Sequence, residues 1–535
     1  MKLILSFVAI VCLFSGVVFS QTATLSGISK HNVKSLTSLN GMLYYFTIDS
    51  LWQSDGTPEG EQLIKSIPDW GFGASFTACN GKIFFLASDG QGFELWVSDG
   101  SAAGTYRVKD IHPTDTGVKR ILAVQNNQLF FIGNDGVHGD ELWLTDGTEA
   151  GTNMVKDIYS GSKNGVEGWA SYAVYNDNLY FSANDSTHGE EIWVSDGTEA
   201  GTRLLKDINT GAAAYPFGFS VANGHLFFSA TGNTSGKELW ISDGTHDGTK
   251  LLKDINPGSE GSFPSLSVLN NRLYAMYSST FDFDAPNTVL ESDGTSAGTI
   301  VFQDSIQQLY YFNGRYYFSK ISGYQAPFFK HALYASDGAE SPLTLISDLT
   351  QGNSSRAITN FIAADGKFYF LINYDGPGGG ANYLDNDLWV SDGTAANTHP
   401  VRHTNGEIVN VYTHHGYAWV EHNGSLYFTC SSEDSSEILG DRVYVVKGTG
   451  TGFSDAFSGK IEIFPNPSDG QIRISTPFMN AYTLQIFNTS GTLMKQEKIQ
   501  NNQEVSLNEL ANGLYFICLR GIDHQVLRTK IVVCK

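Results

Sequence analysis

Charge is scarce in this chain. Asp, Glu, Lys and Arg supply 16% of its 535 residues, and the balance is one-sided, with a formal net charge of −22. So acidic a surface repels phosphates, which argues against DNA or RNA as the main partner. Cysteine is scarce too. Cys12 falls in the apolar N-terminal run, and Cys79, Cys430, Cys518 and Cys534 are too scattered for a disulfide framework or a zinc site. No 3.6-residue apolar period is sustained beyond the first 20 residues, so long helices are not expected. H-E-x-x-H, a Gly-rich phosphate loop and a G-x-S-x-G elbow are all missing, which removes the easily read routes to zinc-protease, nucleotide and α/β-hydrolase chemistry. Long hydrophobic runs are missing as well, save one. Lys2 precedes an apolar stretch at 3–19, with Ser20 and Gln21 after it. This reads as a secretory signal peptide, 1–20, cleaved between Ser20 and Gln21, and it leaves no transmembrane segment in the mature chain.

Glycine and aromatics are plentiful by contrast, at 57 glycines and 13% aromatic residues. That mixture suits short strands, tight turns and rings packed between sheets. Self-similarity is the main fact. Glu94-Leu95-Trp96-Val97-Ser98-Asp99-Gly100 recurs at 141–147, 191–197 and 238–244, and looser copies end at Asp55, Asp293, Asp337 and Asp392. Successive Asp positions lie 44, 47, 50, 47, 50, 44 and 55 residues apart, and Val443-Tyr444-Val445-Val446 looks like a degraded ninth copy.

Each unit has one grammar. In unit 2 the expected strands are 75–80, 83–87, 94–98 and 105–111, joined by Gly and Asp-Gly turns, which describes a four-stranded antiparallel meander. One such meander cannot bury both faces, so neighbours must stack. Units of this size predict an all-β fold, a β-propeller of four-stranded blades over 21–448, with eight or nine units. Unit 9 lacks its own fourth strand, and the unassigned strand at 24–29 is expected to supply it and close the ring. A linker at 449–459 follows, and then a small β-sandwich at 460–535.

The repeat resembles that of secreted bacterial proteins named for an ELWxxDGTxxGT motif. Glu141-Leu142-Trp143, Asp146-Gly147-Thr148 and Gly151-Thr152 match it fully. The resemblance covers about 35–450 and implies an extracellular, propeller-like repeat. The tail is similar to the type A C-terminal sorting domain of the type IX secretion system of Bacteroidetes. The matching residues are Phe464-Pro465-Asn466-Pro467, the 488–493 hairpin and the segment from Leu510 to Phe516. This implies the type IX machinery as a partner, export across the outer membrane, and a protein released or attached at the cell surface.

The repeated Asp99, Asp146, Asp196 and Asp243 are oxygen donors in Gly-rich turns. Each turn offers one clear carboxylate where calcium needs six to eight oxygens, so the expectation is turn capping and no cofactor. Trp96, Trp143, Trp193, Trp240 and Trp389 suit packing between blades better than sugar stacking. His138 and His188 occupy equivalent loops, and His399, His403, His414, His415 and His422 crowd the link from unit 8 to unit 9, without metal spacing. A Glu precedes each strong Leu/Ile-Trp and a Lys follows fifteen positions later: Glu94/Lys109, Glu141/Lys156, Glu191/Lys206 and Glu238/Lys253, with Asp387/Arg402 in unit 8. Units 6 and 7 lose both members together, which predicts a cross-strand ion pair. Unit 1 keeps Lys65 with Ser50 in the acidic slot.

The leading functional expectation is a secreted or surface-attached binding propeller that engages a glycan or a protein. An extracellular polysaccharide-acting enzyme and a structural surface component are the alternatives. In such a blade the 1–2 and 3–4 turns share one rim and the 2–3 and 4–1 connections the other. The second rim carries what varies between units, so ligand contacts are expected there, with Tyr374, Tyr383, Tyr412 and His414 as candidates.

Overall fold

The computed structural model describes residues 22–25, 33, 35–47, 49–57, 59–69, 76–259, 261–277, 287–325, 328–339, 341–349, 356–374, 386–403, 408–409, 411, 419–430, 442–447, 462–464, 471–475, 481–487, 493–500, 504–521 and 526–533. The chain divides into two bodies, 1–447 and 448–535. Every regular element among the described residues is a strand. The leader, its Ser20–Gln21 junction and the 449–459 linker lie outside the described residues.

Unit 3 shows how the sequence builds a sheet. Its strands are Val118–Gln125, Gln128–Asn134, Asp140–Thr145 and Asn153–Lys156, hydrogen-bonded in chain order. Units 1, 2, 4, 5 and 8 are likewise four-stranded. The first two strands of unit 1 are joined by Asn40-Gly41 at φ +52° and +77°, the mirror-image turn that matches strand twist and that Asn and Gly tolerate best. Unit 2 keeps only Tyr106–Arg107 as its last strand, shorter than expected. Units 6 and 7 merge into one seven-stranded sheet, because Ile300–Phe312 pairs with a strand of each.

Unit 9 is completed from the other end of the chain. Thr22–Leu25 runs antiparallel to Arg442–Lys447, with Thr22 opposite Lys447 and Leu25 opposite Tyr444. This is the strand exchange the sequence implied, beginning two residues earlier than expected.

Both faces of each sheet are buried. Phe130 and Phe131 are neighbours on one strand and therefore point to opposite faces. Phe131 packs with residues of unit 2 and Phe130 with residues of unit 4. Among the described residues eight such clusters join units 1 to 2, 2 to 3 and onward to 8 to 9. The ninth joins unit 9 back to unit 1 through Leu43, Tyr45, Tyr427 and Val443. The repeated tryptophan is a plug between sheets: Trp96, Trp143, Trp193, Trp240 and Trp389 each sit in the cluster shared with the preceding unit. Cys79 is buried among apolar neighbours as a free thiol.

The repeated acid and base of units 2–5 do not pair with each other, which corrects the expectation for Glu94/Lys109, Glu141/Lys156, Glu191/Lys206 and Glu238/Lys253. In unit 3 Trp143 lies opposite Met154 and Leu144 opposite Asn153, a register that, continued, would set Glu141 against Lys156. A β-bulge at Val155 intervenes, and Lys156 lies opposite Leu142 instead. Units 1, 4 and 5 carry the same bulge. A slip of one residue sends the two side chains to opposite faces.

Each partner then finds a different task. Glu141 is fully buried and accepts the backbone N–H groups of Ile158 at 3.1 Å and Tyr159 at 3.0 Å. Glu191 accepts those of Ile208, Asn209 and Ala214. Glu238 accepts those of Ile255 and Asn256, and the Ser262 hydroxyl. These groups open the connection to the next unit and need acceptors once buried. The lysines reach forward. Lys65, Lys109, Lys156 and Lys206 donate to the carbonyls of Thr105, Thr152, Thr202 and Thr249 at 2.6–2.7 Å, each in the unit ahead. Lys65 and Lys109 also lie over the Trp96 and Trp143 rings of that unit. Unit 1 therefore keeps its lysine without a glutamate, because Lys65 serves unit 2. In unit 8 Asp387 is buried, and Arg402 belongs to a short strand that runs parallel to Thr22–Leu25.

Replacing Lys109 or Lys156 by Met keeps the stem but leaves a threonine carbonyl without its donor. Each change should cost about 1 kcal/mol in urea unfolding, the net worth of one such bond. A double-mutant cycle of Glu141→Gln with Lys156→Met should show coupling below about 0.5 kcal/mol. Coupling above about 1 kcal/mol would restore the ion pair.

The second body holds seven strands among the described residues, in a three-stranded and a four-stranded antiparallel sheet. Ile472, Ile474, Leu484, Ile486, Ile499, Val505, Leu507 and Ile517 form the core between them. Gly513–Gly521 and Val526–Val533 make its longest pairing, as the alternating tail sequence suggested.

Candidate functional site

The repeated Asp-Gly-Thr is a self-contained turn. Asp146 Oδ1 accepts the Thr148 backbone N–H at 2.8 Å and its hydroxyl at 2.7 Å, and Thr148 Oγ1 accepts Gly151 N–H at 3.0 Å. Thr152 closes it, donating to the Thr148 carbonyl at 2.6 Å. Gly147 sits at φ +90°, and a Cβ on Gly151 would overlap the Asp146 carboxylate, so both glycines are required by geometry. Asp99, Asp196, Asp243, Asp293 and Asp392 repeat the arrangement. The side-chain bond from Thr148 leads in holding the Asp146 carboxyl below its ordinary range. Among the described residues no three His, Cys, Asp or Glu side chains come together as a metal site.

The opposite rim differs from loop to loop. His138 and His188 each close a tight loop, with Nδ1 at 2.7 Å from Asp135 Oδ2 and 2.8 Å from Asp185 Oδ2. The aspartate bond leads in raising each imidazole above its ordinary value. His422 belongs to the other rim, beside the Asn423-Gly424 turn; it is buried, lies 2.9 Å from the Ser38 hydroxyl, and helps join unit 9 to unit 1. Its burial lowers its affinity for a proton. Of the candidate ligand contacts, Tyr374 ends the strand Lys367–Tyr374, opposite Arg356, while Tyr383, Tyr412 and His414 lie outside the described residues. Phe464 ends a strand of the second body, and Pro465, Asn466 and Pro467 also lie outside them.

Sequence reasoning missed a set of exposed aromatics on the same rim. Trp169, Tyr215, Phe217 and Phe263 are 67%, 57%, 54% and 52% exposed, all in or next to the connections that lead into units 4, 5 and 6. A signal was present. Tyr215-Pro216 and Phe263-Pro264 stand at matching places after Lys206-Asp207-Ile208 and Lys253-Asp254-Ile255.

Residues 462–534 match the family described as the secretion system C-terminal sorting domain. No curated protein matches the chain. Among solved structures it is similar to a puromycin hydrolase, at 12% identity over 67% of this chain and 61% of that one, with a TM-score of 0.31. It is also similar to a GH74 xyloglucanase from Xanthomonas campestris, at 11% identity, 94% and 80% coverage and a TM-score of 0.35. A third is PorZ, described as an essential bacterial surface component of the type-IX secretion system of Porphyromonas gingivalis, at 11% identity, 96% and 100% coverage and a TM-score of 0.18. Scores this low carry no argument about activity. The sorting domain bears on location: the chain is a secreted or surface-attached protein of the type IX route. No helix among the described residues is long and apolar enough to cross a membrane.

The buried glutamates make stability pH-dependent. Desolvation dominates and pushes Glu94, Glu141 and Glu191 up to about 7, against backbone N–H bonds that pull the other way. Glu238 moves in the same direction for the same reason. A carboxyl whose folded value exceeds its unfolded value near 4.5 adds stability that is complete below 4.5 and lost as pH rises through about 7. The turn aspartates act oppositely, since their stabilisation is lost as pH falls below about 4. Thermal unfolding should therefore peak near pH 5 and decline toward pH 8. Glu191→Gln should flatten the alkaline limb, and an unchanged limb would contradict the assignment.

Proposed function

We propose that the chain is an extracellular binding module: a nine-bladed propeller, secreted behind a cleaved leader and carried out by its C-terminal sorting domain. Closure through Thr22–Leu25 and through the cluster between units 9 and 1 supports the ring. Its repeat fits the ELWxxDGTxxGT pattern of secreted bacterial proteins.

The division of labour between the two rims supports binding. The repeated Asp, Glu, Lys and Trp are all engaged in turns, loop anchoring and packing between units, as the Asp146, Glu141, Lys109 and Trp143 contacts illustrate. Chemistry toward a ligand is then left to the non-repeated 2–3 and 4–1 connections, which a rigid scaffold presents. By their places in the sequence Tyr374, Tyr383, Tyr412 and His414 are assigned to that rim as candidate contacts, toward a glycan or a surface protein.

Two measurements test this reading. Removal of residues 460–535 should leave the protein in the periplasm, and mass spectrometry of the exported form should find it beginning near Gln21 without most of the tail. Export of the truncated protein at the normal level would contradict the sorting role. On arrays of surface glycans and surface proteins, the secreted protein should retain a defined ligand without altering it. Turnover of a retained glycan would make it an enzyme instead.

A further inference from the structure

Trp169, Tyr215, Phe217 and Phe263 form one patch, and the links between them are explicit. The first strands of units 3 to 6 touch in succession: Val118–Gln125, Tyr172–Tyr175, Phe217–Ala222 and Ser265–Leu269. The four aromatics lie where the chain enters the last three of these strands, so they share one end of that row. Arg120 of unit 3 donates to the carbonyls of Gly168 and Ala170, which flank Trp169. Ser171 then accepts the N–H groups of Gly218 and Phe219, directly beside Phe217. The Lys237 ammonium stands 5.7 Å from the centre of the Phe217 ring. Phe263 is tied to the same place, its N–H donating to the Lys237 carbonyl at 3.1 Å.

The exposure is built in. Tyr215 and Phe263 both have φ of +50°, a conformation that bulky side chains avoid. Two successive N–H groups on one strand-three carbonyl hold each of them there: Ala214 and Tyr215 on Glu190, Ser262 and Phe263 on Lys237. A proline follows both. Unit 3 makes the same double contact, from Gly165 and Val166 to the Asp140 carbonyl, yet Val166 is not at positive φ and is fully buried. The strained backbone therefore accompanies the outward aromatic and is not demanded by the loop. Strain kept where a relaxed version exists in the same chain marks function.

Resting on the binding reading above, we propose that this patch is a polysaccharide-binding site, in which neutral pyranose rings lie against Trp169, Tyr215, Phe217 and Phe263. Sugar C–H faces pack on aromatic rings, and sugar hydroxyls both donate and accept. The polar groups interleaved here offer both roles, since the Lys237 ammonium stands near the Glu190 carboxylate, both half-buried. A nucleic acid would also stack on the rings, but the net charge of −22 opposes it. A docked apolar protein segment would strip solvent from the Glu190 and Lys237 charges and return no hydrogen bonds to them.

The test uses the full-length secreted protein with xyloglucan, mixed-linkage β-glucan, galactomannan and amylose as probes, read by affinity electrophoresis and calorimetry. At least one should bind. Trp169→Ala with Phe217→Ala, and separately Tyr215→Ala with Phe263→Ala, should each weaken it tenfold or more without lowering the unfolding midpoint. Tyr215→Phe should bind like the parent. Bound polysaccharide should shield tryptophan emission from acrylamide, and Trp169→Phe should abolish the shielding. Undiminished affinity in both double variants would overturn the site while leaving the binding function standing. A surface protein captured on the arrays with no polysaccharide bound would do the same to the ligand class. Binding of single-stranded DNA through these aromatics would also overturn it, and absence of any ligand would overturn both readings.

Discussion

A four-stranded sheet with two apolar faces cannot exist alone, and everything in the larger body follows from that constraint. Phe84 and Phe85, Tyr180 and Phe181, and Phe227 and Phe228 each split between two different clusters, one on either side of their sheet. Burying one such ring fully is worth about 2–3 kcal/mol, so a unit stripped of a neighbour would lose several such contributions at once. The first and last units face the same demand. They meet it by packing on each other, and unit 9 borrows Thr22–Leu25 for the edge it cannot form itself. With its last edge covered, the array presents fewer free strand edges to other chains.

The polar half of the repeat serves the same end. The unit-to-unit connections leave the sheet just after strand four, where their N–H groups are buried, and a glutamate on strand three is close enough to accept them. A lysine on strand four is close enough to the unit ahead to bond its turn and cover its tryptophan. Each unit thus stabilises its own exit and the entrance of its neighbour. Gln303 stands in the lysine slot of unit 6, and the unit ahead has Asp337-Gly338-Ala339 without the second Gly-Thr that Lys65, Lys109, Lys156 and Lys206 bond. Losing donor and acceptor together is what a contact between units predicts.

Much of this was legible. Turn chemistry at Asn-Gly and Asp-Gly-Thr located the hairpins, the spacing of the Glu-Leu-Trp copies located the units, and a missing fourth strand pointed to the N-terminal one. The misreading of Glu141 and Lys156 has a definite cause. Parity along a strand assigns faces correctly only while the register is unbroken, and the bulge at Val155 leaves no mark in the sequence beyond another apolar residue. The co-occurrence of the two residues was real. It reported two separate contacts of one repeat, not one contact between the two.

The candidate site was less legible for a related reason. Periodicity reveals what a fold needs in every unit, whereas a binding surface is found where units differ, and difference has no period. Attention to the largest insertions favours units 6–9, where length breaks the symmetry. Units 4–6 break it in another way, through backbone conformation at nearly constant loop length. Val166, Tyr215 and Phe263 follow the same hydrogen-bonding frame, but only the two aromatics are turned outward at φ +50°. A sequence pattern sees an aromatic before proline and files it with the core residues around it. Only the sign of one dihedral, read against its equivalent in the neighbouring unit, separates a side chain that fills the fold from one that the fold holds out to solvent.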